Sequence, residues 1–334
     1  MTVEKRIVSL QELSDAELHP TEFQEEYLDI LRRTTGTELP AGERRDVVCP
    51  FDQCGPGEPA FERDGFRYRD CVNGGGTFAS PRPSDEALTR FFQTSEAARY
   101  WRETLFPATR EARMEKLVRP RADWILNSVR EVVGEPDSLL DMSAGSGPLL
   151  RLLAEEGSFR RIAAGSSAPD DLPDTGGTVE VLAADDTEDG WQVVTLLEAL
   201  ERAHDPNRLL ATAARRVRPG GLLFVTCTLS SGFGNSMLRE TAPSLVPPDK
   251  LNLPSVRGLR MLLEGEWDVV ELSTPGRLDV EQVRREMDRH PDASWPPFLR
   301  HLVTDENPEV REAFQQFLQE HRLASFGRVV AVRR

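Results

Sequence analysis

Apolar residues recur along this chain in two alternating rhythms. Short apolar runs at 138–141, 160–164, 179–183, 192–196, 221–227, 267–273 and 328–333 have the length of buried strands. Between them, near 147–156, 206–217 and 255–264, apolar residues stand three and four apart, the period of a helix with one buried face. Such alternation predicts an α/β fold with a doubly wound, Rossmann-like sheet. Arg218-Pro219-Gly220-Gly221 reads as a turn ahead of a central strand. Further helix is expected at 279–289 and 308–321, within an insertion at 276–324 before the last strand.

The first part of the chain has a different texture. Leu10, Leu13, Leu18, Phe23, Tyr27, Leu28 and Leu31 lie among many acids, and His19-Pro20-Thr21 marks a helix start for 21–33. Residues 1–45 therefore read as a helical extension. Residues 46–83 are rich in Gly and Pro with short β-like pieces and read as a small knuckle-type module. From 84 to 133 the helical period returns through Leu88, Phe91, Phe92, Tyr100, Trp101, Leu117, Trp124, Ile125 and Val129. This stretch is expected to cover and lead into the main domain, 134–334.

Composition narrows the partners. A formal charge of -15 over 334 residues sets the overall field against nucleic acid and anionic membrane surfaces, which leaves a small-molecule substrate as the expected partner. Oligomeric state is left open. The N-terminal residues carry acids and no apolar h-region, and no run of about 18 apolar residues occurs. A cytoplasmic location is the expectation. Cys49, Cys54, Cys71 and Cys227 are too few and too uneven for a disulfide framework, so they read as reduced thiols or metal ligands.

Chemistry concentrates first at 139–153, LLDMSAGSGPLLRLL. Leu139 and Leu140 close a strand, Asp141 stands at its end, Ser143, Gly145 and Gly147 form a tight turn, and a leucine stripe opens a helix. That is the construction of a nucleotide-cofactor loop. Its spacing, with the segment VVTLLEALERAHDPNRLLATAARRVRPGGLLFVT at 193–226, resembles class I S-adenosylmethionine (SAM) methyltransferases. The Cys-bearing module and the phrases PPDKLNLPS (247–255), STPGRLDVEQV (273–283) and FLQEHRLASFGRVV (317–330) resemble the zinc-ribbon-bearing methyltransferases of sugar and natural-product biosynthesis, sugar C-methyltransferases included. The resemblance implies a seven-stranded sheet with its last strand antiparallel. It also implies SAM held by Asp141, Ser143, Gly145, Gly147 and Asp186, zinc held by cysteines, and a substrate pocket beside Tyr100 and Trp101.

Departures from that pattern fall on the working groups. Gly165 stands where the family places the acid that binds the SAM ribose, a charge-assisted contact that is costly to lose. Where the family's histidine would serve as base, the chain reads Leu200-Glu201-Arg202, and an arginine does not deprotonate at working pH. His204 follows two residues later. Lys250 and Phe326 take the places of two further histidines. In the knuckle module Cys49, Cys54 and Cys71 leave a tetrahedral zinc site one ligand short, with Gly74 at the fourth place. Three readings stay open on the sequence. The fold is reused for a cyclisation or isomerisation with Arg202, Lys250 and His204 as polar contributors; or it remains a SAM-dependent methyltransferase with His204 or Glu201 as base; or it is a non-catalytic partner of another enzyme.

Overall fold

The computed structural model describes residues 15–18, 20–143, 147–165, 178–182, 188–304 and 307–334. Its strands are β1 (Glu58–Arg63), β2 (Phe66–Asp70), β3 (Gly76–Ala79), β4 (Ser138–Asp141), β5 (Arg161–Gly165), β6 (Glu180–Leu182), β7 (Trp191–Leu197), β8 (Val217–Thr228), β9 (Asn252–Pro254), β10 (Trp267–Ser273) and β11 (Phe326–Arg333). Seven of them form one sheet in the order β6-β5-β4-β7-β8-β11-β10. From β6 to β8 neighbours run parallel, while β11 is antiparallel to both β8 and β10. The expected seven-stranded α/β sheet with an antiparallel last strand is therefore present. The expected turn at Arg218–Gly221 is instead a bulge inside β8, where Trp191 pairs with Val217 but Val193 with Leu222, and Gly220 takes φ +77°.

Side-chain alternation explains why helices cover both faces. Leu139, Val193, Leu222 and Phe224 point to one face, and Leu140, Val194, Leu223 and Val225 to the other. On the first face lie α6 (Arg119–Val132) and α7 (Pro148–Glu155). On the second lie α8 (Pro206–Arg216) and α10 (Val256–Leu263). Leu149, Leu150, Leu152 and Leu153 of α7 are all buried, each worth about 1.5–3 kcal/mol relative to an exposed side chain. Burial of this stripe fixes where the preceding Gly loop meets the sheet.

Around this sheet sits a helical cover: α1 (Asp15–Leu18), α2 (Thr21–Glu38), α3 (Asp85–Thr94), α4 (Glu96–Tyr100) and α5 (Phe106–Arg113). From Glu96 to Val132 the chain stays helical but widens into π-turns at Trp101–Leu105 and Met114–Val118. Each wide turn leads into a proline, Pro107 and Pro120, whose missing N–H and ring would otherwise break the ladder. The remaining helices are α9 (Phe233–Leu238), α11 (Asp279–Arg289), α12 (Pro297–Thr304) and α13 (Pro308–Glu320); α12 has no counterpart among the sequence-based expectations. No described helix is long and apolar enough to cross a membrane.

A second sheet, β1-β2-β3-β9, carries the knuckle module. Its fourth strand comes from the main part of the chain, so Gly76 pairs with Pro254 and Phe78 with Asn252. Gly258 at the start of α10 completes the junction. A Cβ there would lie 1.7 Å from the Gly75 carbonyl, so only glycine lets the helix seat on the knuckle. Arg82, 1 % exposed, locks the same junction from inside. Its guanidinium donates to Ala79 O and His204 O, each at 2.9 Å, to Asn252 Oδ1 at 2.9 Å and to Leu251 O at 3.4 Å.

Candidate functional site

The cofactor-type loop leaves β4 at Asp141. This carboxyl is 3 % exposed and turned inward: its Oδ1 accepts from Ser143 N at 2.8 Å and from Ser143 Oγ at 2.7 Å. Burial raises the Asp141 carboxyl above its ordinary value, against those two hydrogen bonds. Ser143 Oγ accepts in turn from Leu197 N at 2.8 Å, so the pair braces β4 against the end of β7. Gly147 caps α7 at φ +71°, a left-handed position that suits glycine, and Pro148 then removes one N–H from the helix start. Gly145 and Asp186 lie outside the described residues.

Gly165 ends β5 and faces the cavity described below. A Cβ there would meet nothing closer than Met142 Cα at 3.6 Å, so the place has room for a side chain and has none. Asp141 is committed to Ser143, and among the described residues Asp85, Glu155, Glu198, Asp205 and Asp249 are the carboxylates that line the cavity.

The segment after β7 carries most of the sequence-derived site residues, and the structure separates their roles. Glu198 adopts φ +56°, a strained conformation for a side-chain-bearing residue, and ion-pairs with Arg121. Burial opposes its ionisation, but Arg121 and the more distant Lys250 outweigh it and hold the carboxyl at about 2. Glu201 is fully buried. Its Oε1 accepts from Lys250 Nζ at 2.7 Å, Thr228 N at 3.2 Å and Thr228 Oγ1 at 3.3 Å, and its carbonyl from Leu251 N and Asn252 N. Burial pulls the Lys250 ammonium down, yet Glu201 and Glu198 raise it above its ordinary value, so it stays charged. Neither Glu201 nor Lys250 lines the cavity, and their ion pair is a brace between the β7 loop and β9. Of the residues expected to be catalytic, these two therefore lie behind the cavity wall.

Arg202 and His204 do reach the cavity. Arg202 Nε lies 3.4 Å from Asp249 Oδ1, and the guanidinium sits 5.7 Å from the Phe92 ring centroid. Asp249 is the main cause of its raised pKa. His204 Nδ1 is 2.9 Å from Pro83 O. A carbonyl only accepts, so Nδ1 carries the proton and Nε2 of the neutral ring is left as an acceptor.

The cavity encloses about 900 Å³ and runs from the Gly-loop end, at Met142, Ser143 and Gly165, to the helical cover. Its cover side mixes apolar Leu31, Leu88, Phe91, Phe92 and Trp101 with polar Asp85, Gln93, Arg102 and Arg110. Trp101 thus lines the expected pocket. Tyr100, expected beside it, is not a lining residue: its hydroxyl donates to Glu26 Oε2 at 2.8 Å, because the helix turns it away toward α2. Tyr27, Glu198 and Asp249 line the cavity without having been singled out in the sequence. Tyr27 sits in an amphipathic pattern that reads as core, and no motif spacing separates it from Leu28 or Leu31.

The metal ligands also regroup. Cys49, Asp52 and Cys71 bring their ligand atoms within 4.8 Å of one another, while Cys54 is exposed and directs its thiol to Asp52 O at 3.2 Å. Asp52 stands three residues after Cys49, as Gly74 does after Cys71; Gly74 N donates to Cys71 O, while at the first turn Gln53 N donates to Cys49 O. Asp52 accepts from Cys71 Sγ at 3.1 Å, Asn73 Nδ2 at 2.9 Å and Cys54 N at 3.0 Å. Though burial opposes it, these donors and the Cys49 thiol hold its carboxyl at about 2, while burial first and the bond to Asp52 second push the Cys49 thiol up to about 12. A Cβ on Gly74 would meet only Arg257 Cδ at 4.0 Å, and among the described residues the cluster has three donors where a structural zinc takes four.

A family model described as a methyltransferase domain matches residues 96–266, from α4 to the start of β10. No curated protein sequence matches. Among solved structures, a putative sarcosine dimethylglycine methyltransferase from Galdieria sulphuraria is 16% identical and covers 66% of this chain and 87% of its own at TM-score 0.42. The plantazolicin methyltransferase BpumL in complex with SAH is 12% identical, covering 74% and 93% at TM-score 0.47. The 4+2 cyclase SpnF is 16% identical, covering 63% and 80% at TM-score 0.39.

Proposed function

This chain belongs to the methyltransferase-domain family, and we propose that it runs a reaction other than methyl transfer: the cyclisation or isomerisation of a small natural-product intermediate of polyketide or sugar type. The observation that carries this reading is the cofactor end of the cavity. There Gly165 offers no side chain and Asp141 is spent on Ser143. What remains is a pocket whose cover presents aromatic and aliphatic side chains among charged ones, with Arg202, His204 and Asp249 on its wall. Such a pocket accelerates a rearrangement by holding a flexible molecule in a reactive conformer, an effect worth up to about 7–11 kcal/mol, and by stabilising charge that develops on it. Arg202, kept positive by Asp249, supplies the charge. His204 Nε2 is the acceptor within the same wall and can hold a proton in transit.

Product analysis tests this reading. With candidate intermediates, liquid chromatography and mass spectrometry should find a product of unchanged mass, formed equally with and without added SAM. Arg202→Gln should lower turnover at least tenfold. A mass gain of one CH2 that depends on SAM would replace this reading with methyl transfer, for which His204 is the base that the geometry favours. The metal module carries its own expectation: zinc per purified chain, by mass spectrometry, should be well below one. One zinc per chain would contradict the three-donor account of Cys49, Asp52 and Cys71.

A further inference from the structure

Tyr27 belongs to α2, outside the segment matched to the family, yet it lines the cavity. Its ring packs 5.6 Å from Trp101 and 6.5 Å from Tyr100, centroid to centroid. The chain has three tyrosines. Tyr68 donates its hydroxyl to Lys250 O at 2.7 Å and Tyr100 to Glu26. Tyr27 is 8 % exposed, and its hydroxyl is not among the fully buried polar atoms that lack a partner; the residue lines the cavity. A tyrosine hydroxyl on a cavity wall can donate to an oxygen bound there. Burial, and after it the charge of Asp249, raise this phenol above its ordinary value against the opposing charge of Arg202. The group is therefore a neutral O–H donor that faces the same space as Arg202.

We propose that Tyr27 and Arg202 form a subsite for a ketone oxygen of the substrate, Tyr27 donating a hydrogen bond and Arg202 providing positive charge. This deepens the rearrangement reading and rests on it. In the step it serves, the C–H electron pair beside the carbonyl becomes the C=C of an enolate, and the carbonyl π pair moves to oxygen. The proton passes to His204 Nε2 and, in a β,γ-unsaturated ketone, returns at the γ-carbon as the oxygen pair re-forms the C=O and the original C=C shifts into the α,β position. Atoms and electrons balance as an isomerisation, with no co-reactant. The two donors act most strongly when the oxygen is negative.

The test uses acetylnaphthalene, a ketone, and ethylnaphthalene, its hydrocarbon counterpart, titrated against the full chain and against Tyr27→Phe. The wild type should bind the ketone about tenfold tighter than the hydrocarbon, the worth of one hydrogen bond in a dry site. In Tyr27→Phe that preference should vanish, with hydrocarbon affinity and melting temperature unchanged. Carbonyl infrared absorption of the bound ketone should lie lower in the wild type than in the variant. Equal affinities in both proteins, no ketone binding, or a melting temperature several degrees lower in the variant would each overturn the proposal, the last by showing that the hydroxyl has a protein acceptor. SAH titrated in parallel separates the two claims: its binding would overturn the non-methylating reading, while the ketone-to-hydrocarbon ratio still reports on Tyr27.

Discussion

Lys250→Met should destabilise the protein by about 3–5 kcal/mol at neutral pH, the cost of leaving one partner of a buried ion pair alone. Glu201 would keep only Thr228 N and Oγ1 as donors, and its Oε2 already has no partner among the described residues. In the variant the carboxyl is expected to protonate instead, so its folded pKa rises above the unfolded value near 4.3. A raised folded pKa means stability is intact below the unfolded value and is lost as pH rises through the folded one. Denaturant unfolding should therefore place Lys250→Met near the wild type at pH 4 to 5 and far below it at pH 8. The double variant Glu201→Gln, Lys250→Met should recover most of the loss. A single variant equally destabilised at both pH values would contradict the buried-pair account.

Arg82→Met is the second large effect, about 3 kcal/mol or more, through the polar groups it would leave buried without a donor. Among the described residues no carboxylate lies in ion-pair contact with this guanidinium, which is hydrogen-bonded to carbonyls and Asn252 Oδ1. Burial accordingly lowers it to about 10. Because one of those carbonyls belongs to His204, the substitution should also loosen the histidine. Equilibrium unfolding should show the loss of stability, and ketone binding should weaken alongside it. Wild-type stability in Arg82→Met would mean that the junction between the two sheets is held elsewhere.

The main sheet is legible in the sequence because each strand has a buried run of fixed period, and Leu139 and Leu140 alone assign the two faces of β4. The bulge at Gly220 is less so, since Pro-Gly-Gly carries the same signal in a free turn and in a strand that must skip residues. In the site, Arg202, His204 and Trp101 are found by position in a motif. Glu201 and Lys250 share that position, but they point into the protein and find each other across 49 residues. Pairing over that distance has no periodicity to betray it. Asp52 illustrates a different limit. Counting cysteines leads to Cys54, whereas the knuckle's interval of three leads to the aspartate. Tyr27 becomes visible only when the three hydroxyls are compared in space.

Reuse of a methyltransferase scaffold without its methyl donor is the central claim, and calorimetric titration of the purified chain with SAM and S-adenosylhomocysteine tests it most directly. No heat of binding is expected for either at concentrations up to about 1 mM, a free energy weaker than about -4.1 kcal/mol. Micromolar binding of either would contradict the claim and restore methyl transfer as the function.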